Sequence, residues 1–193
     1  MMDNKKIVFI LLFITAVSMV SGSFFEVHMS GLGKEQLMET LSLHFSANNS
    51  EGFWALFTAS FFKILKIWGY MLLCPIIPVL ALFCPFICVF RGFSVGFSST
   101  MLIEAFGMKG ALYILSTITP HNIIQLPLFC ILSSYTLKMS VKITKIYLQK
   151  NNRIRNKNAL QNDARHYLTI YLLSLLILLI SCLIEAFLKQ VLL

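Results

Sequence analysis

Hydrophobic residues form long runs separated by short polar segments, which is typical of a chain that crosses a membrane several times. The first run spans residues 7–25 and follows Lys5 and Lys6. It is just long enough to span, because a transmembrane helix needs about 20 apolar residues. A basic start, a short apolar core and the small residues at 21–23 are also typical of a cleaved signal peptide, and the pattern leaves both interpretations open.

Residues 23–66 are more polar, and we expect them on the external side. Up to Gly52 they hold four glutamates against the single Lys34. Apolar residues recur at helical spacing over 34–45, which predicts a short amphipathic helix. Residues 53–66 are rich in Trp and Phe and end on lysines, so they predict a helix in the membrane interface or an extension of the next span.

Two further spans are predicted to be irregular. Residues 67–90 hold Pro75, Pro78 and Pro85, which predicts a kinked helix packed against others. Residues 92–119 are too long for one perpendicular span, since a helix of this length reaches about 42 Å and the hydrocarbon is about 30 Å thick. We expect two half-helices, 92–106 and 110–118, joined by a turn.

The remaining spans are residues 121–137 and the strongly hydrophobic stretch 167–188. Between them lies a basic loop, 138–165, which belongs on the cytoplasmic side because positively charged loops are retained there. The fold class predicted is therefore all-α, a polytopic membrane helical bundle of about five spans with broken or kinked helices. Five crossings place the N-terminus in the cytoplasm and the C-terminus outside.

Composition supports a membrane location. Of the 193 residues, 58% are hydrophobic and only 12% are charged, whereas soluble domains carry about 25% charged residues. The formal net charge is +8, and most of it lies in one loop, which argues against a nucleic-acid-binding protein. We expect that loop to set the topology and to meet anionic lipid headgroups. Its basic residues are Lys138, Lys142, Lys145, Lys150, Arg153, Arg155, Lys157 and Arg165.

Polar residues inside apolar runs are the candidate sites. Glu104 lies about 20 Å along a helix counted from Arg91 at the inner boundary, well within the hydrocarbon. A carboxylate there costs roughly 2.5 kcal/mol or more. Glu104 therefore meets a partner helix or a wet cavity, forms an internal ion pair with Lys109 or Arg91, or stays a neutral, protonated carboxyl. Thr119 and Pro120 are typical of a helix start, while the adjacent His121 and Asn122 are candidates to meet a partner outside.

Small residues and cysteines predict packing. Gly92 and Gly96 have the spacing that permits close helix approach, and Gly107 and Gly110 frame the predicted turn. All five cysteines lie in apolar stretches without nearby histidines or carboxylates, so they favour packing and predict neither metal nor cofactor. Glu185, near the end of the last span, is expected to be a solvated carboxylate at headgroup level.

Three motifs resemble the stage II sporulation protein M family. They are Arg-Gly-Phe-Ser-Val-Gly-Phe at 91–97, Phe-Gly-Met-Lys-Gly at 106–110, and Thr-Pro-His-Asn-Ile-Ile-Gln-Leu-Pro at 119–127. Residues 183–187 are similar to the end of the family's final span. The length and layout fit over nearly the whole chain, although His121 replaces a Gln associated with the sporulation branch.

The resemblance implies a multispan protein of the sporulation septum and the engulfing mother-cell membrane. It implies assembly with two peptidoglycan-degrading partners, stage II sporulation proteins D and P, and a scaffold role without enzymatic activity. The sequence also shows no nucleophile–base pair or phosphate-binding loop. The alternative is a small transporter or permease subunit, because broken helices and a buried carboxylate are typical of transporter sites. An intramembrane hydrolase is less favoured.

Overall fold

A computed structural model describes residues 4–29, 31, 33–40, 52–148 and 153–192. All regular structure in these ranges is helical, which confirms the predicted fold class. The helices are α1 (Asn4–His28), α2 (33–40), α3 (Phe53–Leu73), α4 (Pro78–Ala81), α5 (Phe83–Phe106), α6 (Met108–Tyr113), α7 (Thr119–Leu148) and α8 (Arg153–Leu192). A 3₁₀ turn, Cys74–Ile76, follows α3, and a π-helical turn, Ile114–Ile118, precedes α7.

Five helical stretches are long and apolar enough to cross a membrane, and the protein is a multi-pass membrane protein. The stretches are Asn4–His28, Phe53–Ile76, Phe83–Phe106, Thr119–Ile146 and Gln161–Gln190. Large apolar side chains are exposed on the faces of these helices. Exposure of so much apolar surface is unfavourable in water and favourable in lipid. Among these side chains are Phe9, Phe13 and Val17 on α1, and Leu168, Leu172 and Leu176 on α8.

The boundaries of the second and third spans differ from the prediction. Residues 53–66 do not form a separate interfacial helix but begin α3, and the predicted span 67–90 is divided between α3 and α5. The break falls at residues 74–82, because Pro75 and Pro78 cannot donate backbone hydrogen bonds within a helix. Pro85 lies in the first turn of α5, where its missing N–H is tolerated.

Neighbouring side chains satisfy the carbonyl that this break exposes. Pro75 lacks the N–H that would normally bond to the carbonyl oxygen of Met71, four residues earlier. The Tyr167 and Tyr171 hydroxyls each donate to that oxygen at 3.2 Å, and Thr136 Oγ1 lies 3.4 Å from it. The interruption is therefore held in place by α7 and α8 and leaves no unpaired backbone group at this position.

The prediction of two half-helices over 92–119 was wrong in its first half. Residues 92–106 are the later part of α5, a full-length helix that begins at Phe83. The predicted turn does occur at Gly107, whose φ of 57° is easily reached by glycine. After it, α6 folds back along α5, and a Cβ at Gly110 would overlap the carbonyl oxygen of Leu102.

Thr119 is not the N-cap of a new helix, contrary to the prediction. The helical path continues from α6 through the π-helical turn, and Thr119 Oγ1 donates back to the carbonyl oxygen of Ile114 at 2.9 Å. Pro120 explains the irregularity, because a proline ring clashes with the carbonyl four residues earlier in a regular α-helix. The wider π turn is a common way to accommodate such a residue.

Helix α7 is the centre of the bundle. It contacts α1, α3, α5 and α8, and 56% of the residues in its apolar stretch are buried inside the protein, against 33% or fewer for each of the other four. Helices α1 and α5 run parallel, since Ser18 Oγ donates to the carbonyl of Val89 and Ser23 Oγ to that of Gly96. The peripheral helices thus keep one face on α7 and turn the other to lipid.

Candidate functional site

Arg91 lies near the middle of the membrane and not at its inner boundary, where the sequence analysis placed it. It is about 12 Å from the start of α5 and about 22 Å from its end, at 1.5 Å per residue. The neighbouring Gly92 packs against Thr15 of α1. Thr15 is about 15 Å along α1 from Lys5, which is half of the hydrocarbon thickness. The prediction failed because α5 begins eight residues before Arg91.

Polar and aromatic groups of α7 surround this guanidinium. Arg91 Nη2 donates a hydrogen bond to Gln125 Oε1, and the guanidinium carbon lies 4.8 Å from the centroid of the Phe129 ring. Gln125 is completely buried, and its Nε2 donates to Ser181 Oγ of α8 at 3.1 Å. Arg91 Nη1 is buried without a hydrogen-bond partner within the described ranges. One charged residue thus connects three helices inside the hydrocarbon.

A second polar group lies closer to the far end of α8. Glu185 was expected to be solvated, but it is only 7% exposed. Ser60 Oγ of α3 donates to its Oε1 at 3.0 Å, and Lys189 Nζ lies 2.6 Å from the same oxygen. Glu185 also interacts electrostatically with Arg91 and His121. We call Ser60, Arg91, Gln125, Ser181, Glu185 and Lys189 the intramembrane polar network.

Glu104 is not a deep intramembrane carboxylate. It lies two residues before the end of α5, and its side chain is 45% exposed. Its partner is neither Lys109 nor Arg91 but Lys34 of α2, whose Nζ lies 2.6 Å from Glu104 Oε2 and 3.3 Å from Glu26 Oε1. The hydrogen bond to Glu104 and the interactions with Glu26 raise the pKa of Lys34 against the opposing effect of burial.

The other polar candidates occupy different surroundings. Lys109 is exposed on α6, which follows the Gly107 turn. Asn122 is 7% exposed and uses its Nδ2 to donate to the carbonyl oxygen of Ile118 at 2.8 Å, so it is a helix-internal contact and not an external one. His121 is half-buried beside Glu185. The structure therefore brings His121 and Arg91 towards one site and separates Lys109 and Glu104 from it.

Glycines bring α1 and α5 into backbone contact. A Cβ at Gly96 would overlap the carbonyl oxygen of Met19, and one at Gly22 would overlap that of Phe93. At Gly92 a Cβ would lie 2.8 Å from the backbone oxygen of Thr15. The two helices therefore interlock along several turns, in the manner of small-residue packing between membrane helices.

Comparison with protein families decides which group this bundle belongs to. The model described as Stage II sporulation protein M matches residues 7–189, which covers nearly all of the chain. The chain belongs to the stage II sporulation protein M family. A search of curated proteins and a search of solved structures each found no match.

The three motifs that resemble the stage II sporulation protein M family supply packing contacts and a turn in the bundle. The 91–97 motif supplies the mid-membrane arginine and the glycines that contact α1, and 106–110 supplies the turn at Gly107. The 119–127 motif supplies Gln125, the direct partner of Arg91. Gln125 and Gly22 were not predicted. A Gln inside an apolar run is a visible sign, whereas the contact of Gly22 with Phe93 joins two different helices and has no sign in the sequence.

The predicted basic loop, residues 138–165, is partly helical. Lys138, Lys142 and Lys145 belong to the last turns of α7, and Arg165 belongs to α8. Lys142 Nζ pairs with Asp163 Oδ2 at 2.6 Å and so joins the two helices. Lys150 lies outside the described residues, as do the side chains of three further loop cations that fall within α8, Arg153, Arg155 and Lys157.

Proposed function

We propose that this protein is a non-enzymatic membrane scaffold that positions peptidoglycan-degrading enzymes at the sporulation septum during engulfment. The observation that carries the proposal is the match of residues 7–189 to the stage II sporulation protein M family. The resemblance implies stage II sporulation proteins D and P as the partners. In this proposal they supply the catalysis and this chain supplies their place in the membrane.

The bundle has the physical properties that a scaffold needs. Interlocked glycines fix α1 against α5, and the intramembrane polar network ties α3, α5, α7 and α8 together. Such contacts rigidify a bundle, because separating two hydrogen-bonded polar groups in hydrocarbon costs free energy. The exposed apolar faces of α1 and α8 remain available for lateral packing against the membrane helices of other proteins.

Neither of the two features that favoured a transporter forms a transport site. Glu104 pairs with Lys34 at the end of α5, and the break at Gly107 is a turn between two antiparallel helices. Neither places an unwound backbone or a free carboxylate at mid-membrane, the arrangement typical of transporter sites. The scaffold therefore remains the function we propose.

Affinity capture from sporulating cells tests the proposal. Tagged full-length protein, extracted in mild detergent, should recover wall-degrading enzymes. The variant Gly96→Ala, which disturbs the α1–α5 contact, should recover less of them, whereas the matched variant Gly69→Ala should recover as much, because a Cβ at Gly69 meets nothing within 4 Å. Recovery of a transport ATPase in place of wall enzymes would overturn the scaffold function.

A further inference from the structure

A pocket with a mixed polar and apolar lining opens at the basic end of the bundle, between α1, α7 and α8. Its volume is about 200 Å³, and its polar lining comes from Asn4, Lys138, Lys142, Asp163 and His166. A water molecule takes about 30 Å³ in the liquid, so the pocket has room for a group of several heavy atoms. We call it the basic-end pocket.

The basic-end pocket lies at the level of the membrane boundary. Asn4 is the first described residue of α1 and immediately precedes Lys5 and Lys6. On the α8 side the pocket is lined by Tyr167, whose hydroxyl contacts the last turn of α3. The pocket thus lies where the apolar spans give way to lysines, which is the depth of phospholipid headgroups.

The charges that face the pocket favour an anion. Lys138 forms no ion pair within the described part of the chain, while Lys142 is paired with Asp163 and both of their side chains stay about 40% exposed. His166 packs edge-on against the Tyr135 ring, with centroids 6.3 Å apart. Among the described residues, the lining therefore offers one lysine without an ion pair, one shared lysine and a histidine against a single carboxylate.

Asn4 adds a polar group that needs a partner. Its Oδ1 is buried without a hydrogen-bond partner among the residues described. Because the two ends of an asparagine amide have nearly the same shape, a half-turn of that amide would present its NH₂ group in place of the oxygen. A buried polar atom without a partner costs free energy, so the turned amide, donating through its NH₂ group to a ligand oxygen, would remove the cost at this position.

We propose that the basic-end pocket binds the phosphate group of an anionic phospholipid. Lys138 and Lys142 contact the phosphate oxygens, and the Asn4 amide donates to them from α1. The acyl chains lie along the apolar faces that α1 and α8 expose. Basic pockets between membrane helices are known to take such headgroups. The lipid then joins α1 to the α7–α8 pair, independently of the proposed scaffold function.

Lipid binding to the purified full-length chain tests this site. Native mass spectrometry with added phosphatidylglycerol or phosphatidylethanolamine should show preferential retention of phosphatidylglycerol. Lys138→Gln should weaken that binding about fivefold, the effect of one basic residue at a membrane surface. Asp163→Asn should strengthen it, because Lys142 is released from its ion pair.

Lys145→Gln is the matched control, since Lys145 is exposed on the same helix and does not line the pocket. It should leave phosphatidylglycerol binding within about twofold of wild type. Equal losses in Lys145→Gln and Lys138→Gln would overturn the site in favour of general attraction by the basic segment. Displacement of the lipid by inorganic phosphate at constant ionic strength would show a site for free phosphate and would also overturn the proposal. Should Lys138→Gln fail to fold, the absence of tightening in Asp163→Asn is the deciding result against it.

Discussion

Replacing Gly96 by alanine should destabilise the bundle, although alanine is the better helix former. The added Cβ would overlap the carbonyl oxygen of Met19, which belongs to the backbone of α1 and cannot rotate away. Helices α1 and α5 must therefore move apart. The hydrogen bonds from Ser18 to the Val89 carbonyl (2.6 Å) and from Ser23 to the Gly96 carbonyl (3.2 Å) would lengthen at the same time.

The expected loss of stability follows from two effects that destabilise the bundle and one that stabilises it. Overpacking a fitted contact costs about 1–3 kcal/mol, and each weakened hydrogen bond between membrane helices costs about 0.6 kcal/mol. Alanine returns about 1 kcal/mol of helix propensity. We therefore expect the free energy of unfolding to fall by roughly 1–3 kcal/mol.

Unfolding by sodium dodecyl sulfate in mixed micelles measures this change. Trp68 reports on the bundle by fluorescence, because its indole Nε1 donates to Ser174 Oγ of α8 at 3.1 Å. All variants carry Trp54→Phe, which removes the second, exposed tryptophan. Gly69→Ala is the control, and it should be unchanged or more stable by up to about 1 kcal/mol. If Gly96→Ala is as stable as Gly69→Ala, the close contact between α1 and α5 does not exist as described.

Three further changes test other contacts. Arg91→Lys should lower the free energy of unfolding by about 1.5–3 kcal/mol, because lysine keeps the charge but lacks the planar guanidinium that donates to Gln125 and lies over Phe129. An unchanged denaturation midpoint would contradict these contacts. Lys34→Met should increase hydrogen exchange in α2, whereas Lys34→Arg should not. The pKa of Lys34 is raised in the folded state, so the stability that Lys34 contributes is fully present below the ordinary pKa of 10.5 and is lost as the pH rises through the higher pKa of the folded state. The difference in hydrogen exchange between wild type and Lys34→Met should therefore disappear at that pH. A difference that does not depend on pH would exclude the ion pair with Glu104 as its cause. Tyr171→Phe should cost about 1 kcal/mol. The double replacement with Tyr167→Phe should cost more than the sum of the two, because only Thr136 Oγ1, 3.4 Å away, then remains to pair with the exposed Met71 carbonyl. Strictly additive values in chemical denaturation would refute that shared role.

The overall architecture could be predicted because hydrophobicity and length decide it. Runs of apolar residues must be helical in a bilayer, since every backbone group has to find its partner within the segment. The helix boundaries were harder to predict. Residues 53–66 carry aromatic and basic residues suited to an interface, yet they form the first part of α3. This helix runs on to residue 73 because the first prolines that interrupt it are at 75 and 78.

The depth of charged residues could not be predicted once a boundary was misplaced. Arg91 was used to mark the inner end of a span, and this moved Glu104 into the hydrocarbon. In the structure the two exchange roles, with Arg91 at mid-membrane and Glu104 at a helix end. Only tertiary contacts distinguish the two cases, because a buried arginine needs Gln125 and Phe129 from another helix.

The thickness of septal peptidoglycan in sporulating cells tests the central claim most directly. Electron cryotomography should show a thick septal wall and flat or bulged septa in cells that lack this protein, and thinning should return with wild type and Gly69→Ala but less fully with Gly96→Ala. A normally thinned septum without the protein, or a defect confined to solute uptake, would contradict the account.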